Sequence, residues 1–328
     1  MINKIKNIAT NIQGDKVIWA LVLVFALMSI VAVYSSSGSL AYRLQNGNTE
    51  YYLIKQSIFL TLGLLLIYVS HHINYTFYKN LAKAFFVISI PLLIYTLVGG
   101  SSFNDGSRWI SFMGITFQTS DIAKIGLFMF LSLQLSQMQN DIGNLRKVFI
   151  RIFAPVLLIC ALIAVANLST ALMIGCSSGV LFFIGRVKPM HLLVLFVTCF
   201  FAFAGVYTVS KITGKGRAAT WEKRIKDFMS KDDNDIPDQV MESKFAIAKG
   251  GFFGKGPGNS TQRNFLPESN SDFIYSIILE EYGIFGGAVV MFLYLLLLWR
   301  SILIVKKCPF AFGAFLAVGL SFTLVFQA

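Results

Sequence analysis

"GKGPGNSTQRNFLPESNSDFIYSIILEEYG" runs from Gly254 to Gly283. It opens on glycine and proline, passes through Asn, Ser and Gln, and turns apolar after Asp272. A polar loop thus feeds directly into an apolar helix, and two more acids, Glu280 and Glu281, lie inside that helix. A charge at the centre of a bilayer costs roughly 2.5–3.5 kcal/mol on insertion scales, so at least one of these acids is expected to face protein or water. At about 100° per residue, Glu280 falls roughly 80° from Asp272 around the helix and Glu281 roughly 180°. Glu280 is the better candidate to line a polar groove on the Asp272 side, and Glu281 to pair with another helix. Structural pairing of both is the competing reading.

The same pattern extends along the chain. Of 328 residues, 55% are hydrophobic and 13% charged, about half the charged share of a soluble domain. Apolar stretches long enough to cross a hydrocarbon core are expected at roughly 17–37, 52–70, 78–99, 120–138, 148–166, 168–185, 190–210, 272–299 and 309–328. The expected fold is an all-α polytopic membrane protein with nine transmembrane helices, forming one membrane-embedded domain over 1–328. The first apolar run is too long for a cleavable signal and reads as the first span. The loop over 211–271, between spans seven and eight, is the one large extramembrane segment. The four cysteines (Cys160, Cys176, Cys199, Cys308) sit in or beside apolar runs without metal-like spacing and read as packing.

Basic residues set the orientation. Lys4, Lys6, Lys16, Lys79, Lys83, Arg146, Lys147, Arg151, Arg186, Lys188, Arg300, Lys306 and Lys307 gather on one side, against Asp15 and Asp141. The short loops opposite hold Arg43 and Arg108, with Lys55 at a span edge. That bias places the N-terminus in the cytoplasm and the 211–271 loop outside. It also accounts for the net charge of +12 without any nucleic-acid partner. Nine spans leave Ala328 outside at the end of an apolar run, from which a chain cut short is expected.

Polar residues that a plain bundle would not need occur in three places. In "NDGSRWISFMGITFQTSDIAK" (Asn104–Lys124), Arg108 and Trp109 fall at the outer interface, where Trp also serves as a simple anchor. Ser120 is placed to cap the next helix, with Asp121 in its first turn. Asp121 and Lys124 are spaced to pair, and the alternative for Lys124 is a cation held in the bundle for an anionic ligand. In "VANLSTALMIG" (Val165–Gly175), Asn167 caps a tight helical hairpin or, with Ser169 and Thr170, bonds a substrate.

The third place is the opening stretch. Its glycines let the backbone approach something closely. A nucleotide P-loop fails, because Lys249 holds the first glycine position and Gly256, not Ser or Thr, follows Lys255. A glycine turn offering N–H groups to a phosphate remains open. "SNSD" (Ser269–Asp272) fits a capping box. The alternative for Asp272 is a general base at the membrane rim. Three outward polar patches suggest one cavity for an amphiphile with its tail in lipid.

At these residues the sequence resembles the SEDS family, the FtsW and RodA proteins. "GSRWISFMGITFQTSDIAK" is similar to the family's G-[AS]-x-R-W…F-Q-P-S-E-x-x-K segment, and "ANLSTA" to its Q-P-D-x-G-T-A turn. Ala246–Gly283 is similar to its A-I-x-x-G-G-x-x-G-x-G-x-G-x-S-x-Q…L-P-E-x-x-T-D-F-I-F…E-E-x-G segment. The resemblance implies a peptidoglycan glycosyltransferase that polymerises lipid II on the outer face of the bacterial cytoplasmic membrane.

In that family's pattern Asp272 is the essential aspartate, Arg108 and Trp109 the RW pair and Lys124 the lysine of the fourth span; these three, with Lys255, Gln262, Glu268 and Glu280, are the candidate substrate-binding residues. A divalent cation such as Mg2+ or Mn2+ is implied, with no protein metal site assigned. The implied partners are a nascent glycan strand, a class B penicillin-binding protein and other divisome proteins. Thr119, Asp121, Asn167, Ser169, Asn264, Asn270 and Ser271 depart from the pattern. The family has ten spans, and the tenth is missing here. "GPGNS" leans to the FtsW division branch, at the septum. A RodA-like elongation polymerase, a lipid II flippase and a non-catalytic scaffold are the alternatives.

Overall fold

The computed structural model describes residues 14–99, 101–103, 106–112, 115–213, 238–266 and 269–328. The chain begins with α1 (Lys16–Ser36), α2 (Gly38–Leu44), α3 (Thr49–His72) and α4 (Tyr75–Gly99). A small antiparallel sheet follows: β1 (Ser101–Phe103), β2 (Gly106–Phe112) and β3 (Ile115–Gln118), in sequential order. Next come α5 (Thr119–Gln137) and α6 (Leu145–Val148), which continues through a π-helical turn into α7 (Ala154–Ala166). After these are α8 (Leu168–Ile184), α9 (Pro189–Thr213) and α10 (Asp238–Gly250). A 3-10 turn (Gln262–Asn264), α11 (Ile274–Lys307) and α12 (Ala311–Gln327) complete the order.

This is a helical polytopic membrane protein, with one element the sequence did not suggest, the sheet ahead of α5. Helices occupy each expected apolar stretch, and five of those among the described residues are long and apolar enough to cross a membrane. They are Lys16–Ser36, Thr49–His72, Tyr75–Val98, Leu145–Ala166 and Ile274–Lys307. α8 and α12 are 17 residues each, roughly 25 Å of helix against a hydrocarbon core of about 30 Å. α5 is long enough but is diluted by Asp121, Lys124, Gln134 and Gln137.

The described residues group into two compact units, the described parts of Met1–His72 with Ser230–Arg300 and of Ile73–Met229 with Ser301–Ala328. The second unit is built around α5. Ala123, Leu127, Leu131 and Leu135 recur at helical spacing and are fully shielded. Phe128, Phe153 and Phe182 fill the space between α5, α7 and α8. Gly126 lets α5 approach α4 closely, since a Cβ there would lie 3.0 Å from the Phe85 carbonyl oxygen. Asn167 turns the chain between α7 and α8, and its side chain accepts from the Thr170 amide at 3.3 Å, the hairpin cap expected of it. Ser120 does not cap α5. The helix begins at Thr119, and the buried Ser120 hydroxyl has no hydrogen-bond partner among the described residues.

In the first unit, α1 and α11 run antiparallel and are joined by polar contacts at both ends. At one end the Asp15 carboxylate caps α1 through the Val17 amide (2.9 Å) and pairs with Arg300 at 2.8 Å. Burial opposes ionisation of Asp15, but Arg300 and the amides of Val17 and Ile18 outweigh it and hold the carboxyl below its usual value. At the other end the Ser35 hydroxyl donates to the Glu281 carboxylate. Between them, Phe25 packs against Tyr294 at 4.6 Å.

At 1.5 Å per residue, roughly 30 Å of helix separates Asp15 from Ser35, and roughly 28 Å separates Glu281 from Arg300. Both match the hydrocarbon thickness, so the polar contacts bracket the bilayer. The span expected at 272–299 is thereby shifted. α11 continues to Lys307, and Glu280 and Glu281 sit at a membrane boundary instead of its middle. This placement removes most of the burial cost that made them puzzling.

Candidate functional site

α11 is broken at Gly283, where φ is 68° and ψ −173°. A break at this depth strands backbone groups on both sides, and lipid offers them nothing. The loop after α10 supplies the missing partners. Lys255 and Gly256 donate their amides to the carbonyls of Glu280 and Glu281 at 3.0 and 2.9 Å. The amides of Ile284 and Phe285 donate to the carbonyls of Gly251 and Phe252 at 3.0 and 3.2 Å. One loop therefore closes both ends of the interruption.

That fit requires glycine. At Gly254 (φ 79°) a Cβ would lie 2.2 Å from the Glu281 carbonyl oxygen, and at Gly283 2.2 Å from that of Phe252. The close approach expected of the glycines is thus made to α11 itself. The amides of Gly254, Lys255 and Gly256 are already bonded to carbonyls of the chain, so these three offer nothing to a phosphate.

The side chains complete the joint. Glu280 is fully buried. Its carboxylate accepts from Lys255 Nζ at 2.6 Å, Ser260 Oγ at 2.5 Å and Thr261 Oγ1 at 2.9 Å. It also accepts from the amides of Thr261 and Gln262, each at 3.2 Å. Glu280 therefore does not line an open groove, and Lys255 is held by a counter-charge. The Gln262 amide, oriented to satisfy both neighbours, donates to Glu242 at 2.5 Å and accepts from Lys249 at 2.6 Å, tying the loop to α10. Glu281 pairs with another helix, as its angle around α11 suggested, through Ser35.

The end of α1 is the part that sequence reasoning missed. Arg263 donates to the Ser35 carbonyl at 2.8 Å, and the Ser269 hydroxyl to the Ser36 carbonyl at 3.1 Å. Ser35 and Ser36 are buried. The one available signal was the polar run Ser35–Ser37 closing the first apolar stretch.

Asp272 lies in the turn that enters α11. It is exposed, and no hydrogen bond or ion pair engages its carboxylate among the described residues. The capping box is absent: α11 starts at Ile274, and Ser269 bonds α1 instead. Asp272 is thus a free carboxylate on a segment fixed three residues upstream by Ser269 and, farther along, by Glu280 and Glu281.

In the second unit, Lys124 is buried, pairs with Asp121 at 2.7 Å and donates to Gln327. It lines a small pocket with Thr170, Ile174, Ser177, Thr323 and Gln327. Trp109 is half-buried on β2, opposite Gln118 of β3. The Arg108 side chain and Glu268 lie outside the described residues. Among the described residues, no cluster of three or more His, Cys, Asp or Glu side chains could hold a metal ion.

The family model described as "Cell cycle protein", covering FtsW, RodA and SpoVE, matches residues 15–328. The chain belongs to this family. It is 29% identical over 327 residues to a Geobacter sp. protein named "Probable peptidoglycan glycosyltransferase FtsW", covering 96% of this chain and 85% of that one. It is 28% identical over 324 residues to stage V sporulation protein E of Bacillus subtilis (strain 168), covering 95% and 85%. The fold is similar to that of a solved peptidoglycan synthase complex that coordinates polymerisation and crosslinking (TM-score 0.68, 23% identity, 94% of this chain and 84% of that one). It is also similar to Thermus thermophilus RodA (TM-score 0.62, 24% identity, 97% and 84%).

Proposed function

We propose that this FtsW/RodA/SpoVE-family chain is a peptidoglycan glycosyltransferase of the FtsW branch. It polymerises lipid II at the outer face of the bacterial cytoplasmic membrane, with its N-terminus in the cytoplasm. The observation that carries the reading is Asp272. It is an exposed, unengaged carboxylate at the lead-in to a membrane helix, between Ser269, which bonds α1, and Glu280 and Glu281, which bond the loop and α1. A carboxylate so placed is available to take a proton.

In the proposed step, Asp272 accepts the proton of the 4-hydroxyl on the incoming disaccharide. That oxygen bonds to the anomeric carbon of the growing chain with inversion, the bond to undecaprenyl pyrophosphate breaks, and the carrier leaves with the electron pair. Arg108 and Lys124 are the cations assigned to the developing pyrophosphate charge, with Trp109, Gln262 and Glu268 as further candidate substrate-binding residues. Lys255 is assigned to the joint with Glu280.

The donor set fits Mg2+ or Mn2+ only in a limited sense. Asp272 offers an exposed carboxylate, suited to an ion that keeps its waters and is held mostly by substrate phosphates. Such an ion would supply neutralisation of pyrophosphate charge.

The partners are the nascent glycan strand, a class B penicillin-binding protein and other divisome proteins, at the septum. The test is purified protein with its transpeptidase partner and fluorescent lipid II. Polymer that grows with time supports the reading. Translocation of lipid II without polymer points to a transporter, and neither activity overturns it.

A further inference from the structure

The turn that closes the α11 break carries two phenylalanines the proposed reaction does not use. Phe252 is 61% exposed and Phe253 78%. Their rings meet edge to face with centroids 4.9 Å apart. Such exposure of two adjacent aromatics on a loop in water is costly. The backbone fixes the depth of this turn. The Gly251 and Phe252 carbonyls bond the Ile284 and Phe285 amides, the first of the unbroken membrane-crossing part of α11. Ile284 and Phe285 are themselves 55% and 59% exposed. The level of Glu281 and Ser35 marks the boundary, so the turn lies just on the hydrocarbon side of it.

We propose that the Phe252–Phe253 turn is a lipid-inserted wedge, its rings among the acyl chains of the leaflet on the Ser35–Glu281 side. The occupant of this apolar surface is therefore bulk lipid and not a protein. Three observations favour lipid. The surface is continuous with that of a membrane-crossing helix. The Gly251 and Phe252 carbonyls of the turn are taken up by α11, and the Gly254 amide by the Gly250 carbonyl. The polar residues Glu242, Lys249 and Lys255 lie on the protein side, bonded to Gln262 and Glu280. Phenylalanines on one face of an otherwise polar, interface-level segment are the pattern of membrane insertion. The 211–271 loop would then be re-entrant at its glycine turn, not wholly extramembrane. The inference stands whether or not the chain polymerises lipid II.

The test uses the full chain in proteoliposomes, with Cys160, Cys176, Cys199 and Cys308 replaced by alanine. Phe253→Cys carries an environment-sensitive fluorophore, Phe252→Cys is a second probe, and Pro257→Cys, exposed in the polar part of the loop, is the aqueous reference. Quenching by lipids brominated on the acyl chains, with loss of quenching by aqueous iodide relative to the Pro257→Cys reference, is expected at both phenylalanine positions. Quenching by iodide at 252 and 253 would place the turn in water and overturn the proposal. Protection from both quenchers would overturn it too, by showing the turn covered by protein.

Discussion

Glu280→Ala tests whether the joint between the loop and α11 is what holds the helix break together. The substitution removes one acceptor shared by Lys255, the hydroxyls of Ser260 and Thr261, and the amides of Thr261 and Gln262. These losses are unequal. The Lys255 side chain is 30% exposed and can turn to water, so its loss is discounted. Thr261 is exposed and is discounted likewise. Ser260 and Gln262, each 3% exposed, cannot reach water. Two orphaned buried donors at roughly 1–3 kcal/mol each give a loss of about 4 kcal/mol.

On a scaling of about 2–4 °C per kcal/mol, that lowers the melting temperature by on the order of 10 °C. The assay is thermal loss of the monodisperse species in detergent. Glu280→Gln, which keeps the volume and one acceptor oxygen, should fall between parent and alanine variant. Glu280→Ala and Lys255→Ala together should cost less than their sum, because they share a contact. A melting temperature for Glu280→Ala within about 1 °C of the parent would show that the joint contributes nothing to the stability of the helix break.

Gly254→Ala places a Cβ against the Glu281 carbonyl and should stop folded protein accumulating in the membrane. Gly258→Ala, with a similar φ of 80° but open space, isolates the conformational cost of about 1–2 kcal/mol. Equal yields for the two would refute the close-approach reading. Ser35→Ala leaves the buried Glu281 without its hydroxyl donor and should lower stability by about 1–3 kcal/mol, read from the same melt. Asp15 has its folded pKa below its unfolded value, so its pairing stabilises the protein above the unfolded pKa and is lost as pH falls through the folded one. Asp15→Asn should therefore melt below the parent at pH 7, with the two curves converging below about pH 4. A gap that persists in acid would exclude the ionised carboxylate as its source.

The apolar spans and the hairpin cap at Asn167 were legible because each is a local pattern, a hydropathy run or one side chain bonding an amide three residues on. The angle between Glu280 and Glu281 was legible for the same reason, and it points Glu281 to another helix, α1, but Glu280 is buried against the loop instead of lining a groove. Their depth was not. Arg300, Lys306 and Lys307 read as a loop, but α11 runs through them, with Arg300 paired to Asp15. The start of the membrane window therefore moves toward the C-terminus, from about residue 272 to Glu281, while its end stays near Arg300. The glycines announced a close approach without naming its target, since the loop meets a helix roughly 30 residues further along the sequence. Ser269 fitted a capping motif, but its hydroxyl bonds the far end of α1, a contact that no local spacing encodes. The three short strands before α5 have too few residues to show alternation.

The most direct measurement is polymerisation of fluorescent lipid II by purified Asp272→Asn protein with its transpeptidase partner, beside its melting temperature. The expected result is no glycan product above background and an unchanged melt, since the carboxylate is exposed and holds nothing in place. Glycan strands made at the parent rate would contradict the account at its centre.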